Sequence, residues 1–155
     1  MDPITIRPAC LQDLTTLLRF EQGIIATERP FDPTLGPDPL HYYDLHELIT
    51  ASHIQLLVAE YDQQVIGSGY ARIETSKHYN RHPQHAYLGF MYVEPAHRGK
   101  GVNKMIITAL TEWARSHNIV ELRLDVYYHN GSAIKAYEKV GFKRHMVAMR
   151  MGVPR

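Results

Sequence analysis

Apolar residues in this chain recur with two different spacings, and the switches between them mark out its elements. Ile4 and Ile6 give a short first strand that Pro8 ends. Leu14, Leu17, Leu18 and Ile25 fit a helical period that begins at Asp13. Four prolines and a glycine between Arg29 and Pro39 predict a conformationally restricted loop, and a second helix follows over Tyr43–Ala51. Strands are predicted over Ile54–Tyr61, Val65–Glu74 and His85–Val93. They are separated by a turn at Asp62-Gln63-Gln64 and a polar hairpin loop over Ser76–Gln84. A long helix then carries Val102, Met105, Ile106, Ala109, Leu110 and Trp113 on one face and stops at Asn118. Val120, Leu122, Leu124 and Val126 alternate with polar residues as in a strand. Ser132–Val140 reads as a helix closed by Gly141, and Phe142–Met151 as a final strand. The long helix is a crossover, so strands 85–93 and 120–126 should be parallel with a right-handed connection.

At 155 residues, without repeats or linkers, this order predicts one α+β domain spanning 1–155. Apolar and charged fractions of 45% and 21% are ordinary for a globular protein, and a net charge of +1 argues against nucleic acid as a partner. No apolar run approaches the ~18 residues of a membrane span, and no leader pattern opens the chain. The single cysteine, Cys10, suits a reducing compartment and reads as a small apolar residue at a helix start. A cytoplasmic location is expected, with no membrane partner.

Chemistry concentrates where strand 85–93 breaks at Pro95 and the chain enters the long helix through Arg98-Gly99-Lys100-Gly101-Val102-Asn103-Lys104. Glycines permit close backbone approach, and the unpaired N–H groups and positive end of a helix favour a phosphate. Arg98, Lys100 and Lys104 add charge. The run Gly-x4-Gly-Lys-Ser/Thr is absent, which excludes a P-loop, and Lys104 stands where a dinucleotide fingerprint needs its third glycine. A second segment follows the parallel strand. Asn130 is suited to cap a short helix, and Tyr137 lies about two turns further on, on the stripe Ala133, Ile134, Tyr137. A core tyrosine with a satisfied hydroxyl is the plainer reading of Tyr137 in isolation.

Taken together, these segments resemble the GCN5-related N-acetyltransferase (GNAT) family, which transfers an acyl group from acetyl-CoA to an amine. The family's Gln/Arg-x-x-Gly-x-Gly/Ala motif matches Arg98-Gly-Lys-Gly101-Val-Asn103, with Asn103 in place of the last small residue. Its Asn-x-x-Ala-x-x-x-Tyr-x-x-x-Gly-Phe pattern matches Asn130, Ala133, Tyr137, Gly141 and Phe142, and Ile6-Arg7-Pro8-Ala9 with Asp13 looks like its opening. The resemblance implies a central, mostly antiparallel sheet of about six to seven strands. One parallel pair would be splayed, with about four flanking helices. It implies that backbone N–H groups of Met91, Tyr92 and Val93 hold the pantetheine arm and polarise the thioester. Arg98, Gly99, Lys100, Gly101, Val102, Asn103 and Lys104 would hold the pyrophosphate, with Asn130 and Tyr137 also lining the cofactor. Tyr137 would be the general acid for the departing sulfur.

The general base stays open. Some members carry a strand glutamate where this chain has Tyr87, whose pKa near 10 does not suit that task. Glu74, His85 and Glu28 are candidates, directly or through water, and equally none acts and the amine loses its proton to solvent. His78, His82 and His85 have metal-like spacings, but a polar hairpin loop favours a solvated reading, and no metal is expected. That loop and the proline-rich segment with His41, Tyr42 and Tyr43 are better placed to wall the acceptor. Asp32, Asp38, Asp44 and Glu47 make a cationic acceptor plausible, surface solubility being the duller explanation. The expected activity is acetyl transfer to a primary amine of a small molecule, peptide or protein. The alternative is a non-catalytic acyl-CoA-binding or regulatory domain. An exposed last strand would suit pairing in a homodimer.

Overall fold

A computed structural model describes residues 3–155 of the chain. Its regular elements are β1 (Thr5–Pro8), α1 (Leu14–Glu28), α2 (Leu45–Thr50), β2 (Ile54–Tyr61), β3 (Gln64–Thr75), β4 (Gln84–Val93), α3 (Val102–Ser116), β5 (Leu122–Arg123) and α4 (Gly131–Val140). The strands form one sheet in the order β1-β2-β3-β4-β5. All neighbours are antiparallel except β4 and β5, which run parallel as the crossover through α3 requires. Asp62 and Gln63 join β2 to β3 with φ of 50° and 61°. Two consecutive left-handed residues give the turn whose twist matches that of the strands it connects.

The sheet is covered on both faces. Leu17, Phe20, Leu45 and Leu48 of α1 and α2 pack with Ile54, Leu56, Val58, Tyr70 and Phe90. On the other face α3 buries Val102, Ile106, Ile107, Leu110 and Ala114. The crossing of α1 over β4 is close because position 23 is glycine: a Cβ there would stand 2.8 Å from the Tyr92 ring. Phe20, one turn earlier, lies against the same ring with centroids 4.6 Å apart. At the start of α1, Asp13 accepts two hydrogen bonds from the Arg7 guanidinium and one from the Cys10 N–H, at 2.9 Å each. Arg7 also donates to Glu60, so β1, β2 and the entry to α1 share one ionic cluster. Cys10 is exposed rather than packed.

The chain divides into two compact units, with the boundary between Leu124 and Asp125. In the second unit, Asn130 caps α4 by accepting the Ala133 N–H at 3.3 Å, and Gly141 ends it with φ of 124°. The Tyr137 and Phe142 rings meet edge to face, 5.8 Å apart.

Several elements differ from expectation. Among the described residues the sheet has five strands, not six or seven. The segment expected as a strand over 120–126 keeps only Leu122–Arg123, and Phe142–Met151 forms no strand, with Met146, Met149 and Met151 all more than 80% exposed. Alternation assigns side chains to faces but does not supply a partner edge, and no strand pairs with either segment beyond those two residues. The helix expected over Tyr43–Ala51 is confined to Leu45–Thr50, because Asp44 caps it by accepting the Glu47 N–H. On α1, Leu14 and Leu18 are exposed while Phe20 and Glu21 are buried. Among the described residues no helix is long and apolar enough to cross a membrane.

Candidate functional site

The turn between β4 and α3 has the geometry that its composition predicts. Gly99 and Gly101 hold left-handed φ values of 78° and 81°, and nothing stands within 4 Å of where a Cβ would be at either position. Side chains there would project into the open concavity and strain the backbone. Gly101 is the N-cap of α3 and no side chain caps the helix, so its first N–H groups remain available to an outside acceptor. Lys100 and Lys104 are exposed at this rim. Arg98 is tethered: its Nε–H donates to the Val93 carbonyl at 3.0 Å and its guanidinium lies over the Tyr92 ring. Val102 is buried beneath the first turn and Asn103 is half-buried beside it. A shallow groove lined by Ile6, Gly101, Lys104, Met105, Thr108 and Ala109 adjoins the cradle and gives it an apolar flank.

The strand that delivers the chain to this cradle is irregular. Phe90 has a left-handed φ of 54°, and the β3–β4 register slips between Ser68 and Tyr70. This bulge is held from two sides. The buried Ser68 hydroxyl donates to the Phe90 carbonyl at 2.8 Å, and the Phe90 backbone is hydrogen-bonded to the Tyr43 hydroxyl. The Tyr43 ring stacks on the Phe90 ring with centroids 4.6 Å apart. Beyond the bulge, the Glu94 N–H turns to the Ile66 carbonyl on the β3 side. Alternation then directs the N–H groups of Met91 and Val93 to the opposite edge, and that of Tyr92 back into the sheet. Along that opposite edge β5 pairs only at Ala86 and Tyr87. Among the described residues no strand pairs with that edge from Leu88 to Val93, the stretch that leads directly to the cradle.

The three candidate bases fall in two places. Glu74 and His85 face each other across β3 and β4. His85 Nε2 lies 3.3 Å from Glu74, and Ser76 Oγ lies 2.8 Å from His85 Nδ1. A proton on Nε2 satisfies both contacts: Nε2 donates to the carboxylate and Nδ1 accepts from the hydroxyl. Glu74 also accepts from Arg72, whose guanidinium lies over the Tyr70 and Tyr87 rings. His85 is buried in β4 rather than lying in the loop, and Tyr92 is seven residues further along, roughly 20 Å of strand. Glu28 stands elsewhere, as the last residue of α1. Burial pushes its carboxyl above the usual range, a hydrogen bond from Tyr42 pulls in the opposite direction, and the Asp32 charge adds to the rise.

One central residue carried no signal in the sequence. Glu21 is fully buried, and its carboxylate accepts the N–H groups of Tyr42 and Tyr43 at 2.9 Å each and meets His41 Nδ1 at 2.7 Å. It anchors the end of the proline-rich segment to α1. Burial raises the Tyr43 and Tyr70 hydroxyls above their ordinary pKa, so both act as neutral groups. Asn130 and Tyr137 belong to the second unit, on α4 and its cap. Among the described residues no cluster of three or more histidine, cysteine or acidic groups is disposed to hold a metal.

A profile of the Acetyltransferase (GNAT) family matches residues 21–142. The uncharacterized N-acetyltransferase YycN of Bacillus subtilis is 44% identical over 70 residues, which is 44% of each chain. The chain thus spans less than half the length of that relative. An aminoglycoside N(6')-acetyltransferase type 1 of Acinetobacter haemolyticus is 28% identical over 106 residues, covering 66% of this chain and 72% of the relative. The crystal structure of a predicted acetyltransferase from Clostridium acetobutylicum with acetyl-CoA superposes with a TM-score of 0.74. It covers 97% of this chain and 96% of the other at 18% identity, a likeness of fold.

Proposed function

We infer the activity from one premise: this chain belongs to the acetyltransferase (GNAT) family. On that premise it is an acetyl-CoA-dependent N-acetyltransferase that passes the acetyl group to a primary amine. The observation that carries this reading is the continuity of two features, an open strand edge along Leu88–Val93 and a glycine-lined helix N-terminus at Gly99–Gly101. Acetyl-CoA combines an amide-bearing arm that pairs with a strand edge and a pyrophosphate that suits the positive end of a helix. The residues present fit both parts. In this reading the Met91 and Val93 N–H groups orient the arm and the thioester. Arg98, Lys100, Lys104 and the backbone from Gly99 to Lys104 hold the pyrophosphate, and the apolar groove beside α3 adds surface. When bound, acetyl-CoA supplies the activated acyl carbon.

Tyr137 is assigned the proton donation to sulfur, on the strength of the pattern Asn130, Ala133, Tyr137, Gly141, Phe142. Aminoglycosides are the first acceptors to try, given the named relatives, followed by other small-molecule and peptide amines. A cytoplasmic setting completes the reading, since acetyl-CoA is available there. The test is calorimetry with acetyl-CoA, then release of free thiol against an amine panel. Binding followed by amine-dependent thiol release is expected, and failure to bind acetyl-CoA overturns the reading. Tyr137→Phe should lower kcat by about 100-fold with little change in acetyl-CoA affinity. Unchanged turnover would remove Tyr137 from that role.

A further inference from the structure

We propose that Tyr43 is a positioning residue for acetyl transfer: it holds the bulge at Phe90, and the bulge turns the Met91 N–H outward to the edge where the thioester is polarised. This deepens the acetyl-transfer reading and rests on it.

Two backbone hydrogen bonds show what the bulge does. The Ala86 N–H donates to the Glu121 carbonyl at 3.0 Å, on the β5 side of β4. The Glu94 N–H, eight residues later, donates to the Ile66 carbonyl at 2.8 Å, on the β3 side. N–H groups along a regular strand alternate between its edges, so residues an even number apart share an edge. These two do not. Between them Tyr70 pairs with Gly89 and Ser68 with Tyr92, two steps on β3 against three on β4. The extra residue inverts the alternation. Without it the outward direction passes to Tyr92, and the Met91 and Val93 N–H groups turn into the sheet.

Phe90 absorbs the extra step, and its φ of 54° is one that a bulky residue rarely adopts. Such a conformation persists only where its surroundings impose it. Three side chains do so here. The Phe90 N–H donates to the Tyr43 hydroxyl oxygen and Ser68 donates to the Phe90 carbonyl at 2.8 Å, so both backbone polar groups of the residue are held. The Tyr43 ring stacks on the Phe90 ring, with centroids 4.6 Å apart and planes 17° apart. Tyr70 backs the pair. A Cβ at position 89 would stand 2.5 Å from the Tyr70 hydroxyl oxygen, and the Tyr70 ring meets that of Tyr43 edge to face at 6.2 Å. Tyr43 is itself placed by the buried Glu21 carboxylate, which accepts its N–H at 2.9 Å. Of the three side chains Tyr43 alone comes from outside the sheet, so it ties the bulge to the segment 41–43.

Tyr43 neither gives nor takes a proton in this scheme. The amine nitrogen bonds to the acetyl carbon, negative charge gathers on the carbonyl oxygen, and the carbon–sulfur bond then breaks. The nitrogen's proton ends on sulfur by way of Tyr137, so an amine and the thioester yield an amide and a free thiol. A fixed N–H donor stabilises the charge on oxygen only if it is already aimed at that oxygen. Tyr43 therefore acts through the Met91 N–H, and removal of its hydroxyl is felt at the carbonyl whichever amine attacks.

The experiment compares the wild type with Tyr43→Phe, which keeps the ring and removes the hydroxyl, and with Ser68→Ala, which releases the bulge from β3. Kinetics are measured with kanamycin, spermidine and a tripeptide with a free N-terminus as acceptors. Calorimetry follows the affinity for CoA, which lacks the thioester, and infrared spectroscopy follows the carbonyl stretch of bound, carbonyl-labelled acetyl-CoA. In the wild type that stretch should lie below its frequency in water, and in both variants it should return at least halfway to the free value. A displacement of about 1 Å at a reacting group costs up to roughly 100-fold, so kcat should fall about 30-fold for every acceptor used, with CoA affinity held within about threefold. The double variant should lose little more than either single one, because both hold the same residue. A Tyr43→Phe kcat within about threefold of the wild type, a bound carbonyl frequency unchanged from the wild type, or a loss of CoA affinity as large as the loss in kcat overturns the proposal and leaves acetyl transfer standing. If Tyr43→Phe does not fold, Ser68→Ala decides by the same criteria. Acetyl-CoA binding without thiol release for any acceptor overturns the transfer reading, and Tyr43's role with it.

Discussion

Gly101 and Glu21 are both set by the backbone around them, yet only one is visible in a sequence. Gly101 has φ of 81° above an open concavity, and a glycine in a basic turn after a strand advertises that requirement. Replacing it with alanine should cost about 1 kcal/mol of left-handed strain, lowering Tm by a few degrees. The added methyl group would occupy the cradle, so acetyl-CoA affinity measured by calorimetry should fall about tenfold or more. Unchanged affinity would remove the turn from cofactor binding. Glu21 gives no such sign. A glutamate among helical leucines reads as a solvent-facing position, and its burial follows from two backbone N–H groups some twenty residues away. Pattern along a helix cannot reveal a donor that arrives from a loop, so the anchor of the 41–43 segment stayed hidden, as did the Tyr43 clamp on Phe90.

Helix α1 shows how packing reverses an intrinsic preference. Alanine in place of a mid-helix glycine ordinarily gains about 1 kcal/mol. At position 23 the new Cβ would stand 2.8 Å from the Tyr92 ring and 2.9 Å from its hydroxyl oxygen. Overpacking of this kind typically costs about 1–3 kcal/mol, which outweighs the gain. Gly23→Ala should therefore lower Tm in thermal unfolding, and Tyr92→Phe in the same background should recover part of the loss. A rise in Tm on Gly23→Ala alone would show that helix and strand do not approach this closely. The existence and order of α1 were legible from its leucines. Its buried face was legible in part: Leu17 and Ile25 lie in it, whereas Phe20 and Gly23 are chosen by Tyr92 rather than by the helix's own period.

Across the whole molecule, the meander and the parallel crossover follow from alternation, turn residues and the chirality of βαβ connections, all local signals. The last expected strand failed because a strand is a relation between two edges and its pattern describes only one. Long-range charge is similarly relational. Asp13, beside Arg7, has its carboxyl held below the usual range by the guanidinium's hydrogen bonds, with burial opposing. A depressed folded-state pKa contributes stability that is present above the ordinary carboxylate value near 4 and lost as pH falls through the lower one. Asp13→Asn should destabilise the protein at neutral pH and flatten the fall in stability below about pH 4, as followed by urea unfolding; an unchanged acid slope would count against the cluster. The open edge of β4 has one further consequence. Exposed strand edges normally recruit another chain, and proteins guard them with charge, bulges or cover. Here the bulge at Phe90 interrupts the edge, the Arg98 bond to Val93 closes its far end, and under the proposed function the donor molecule covers the rest. On that reading acetyl-CoA would stand in for a missing strand, and self-association, followed by light scattering, should be strongest without it and suppressed by its addition.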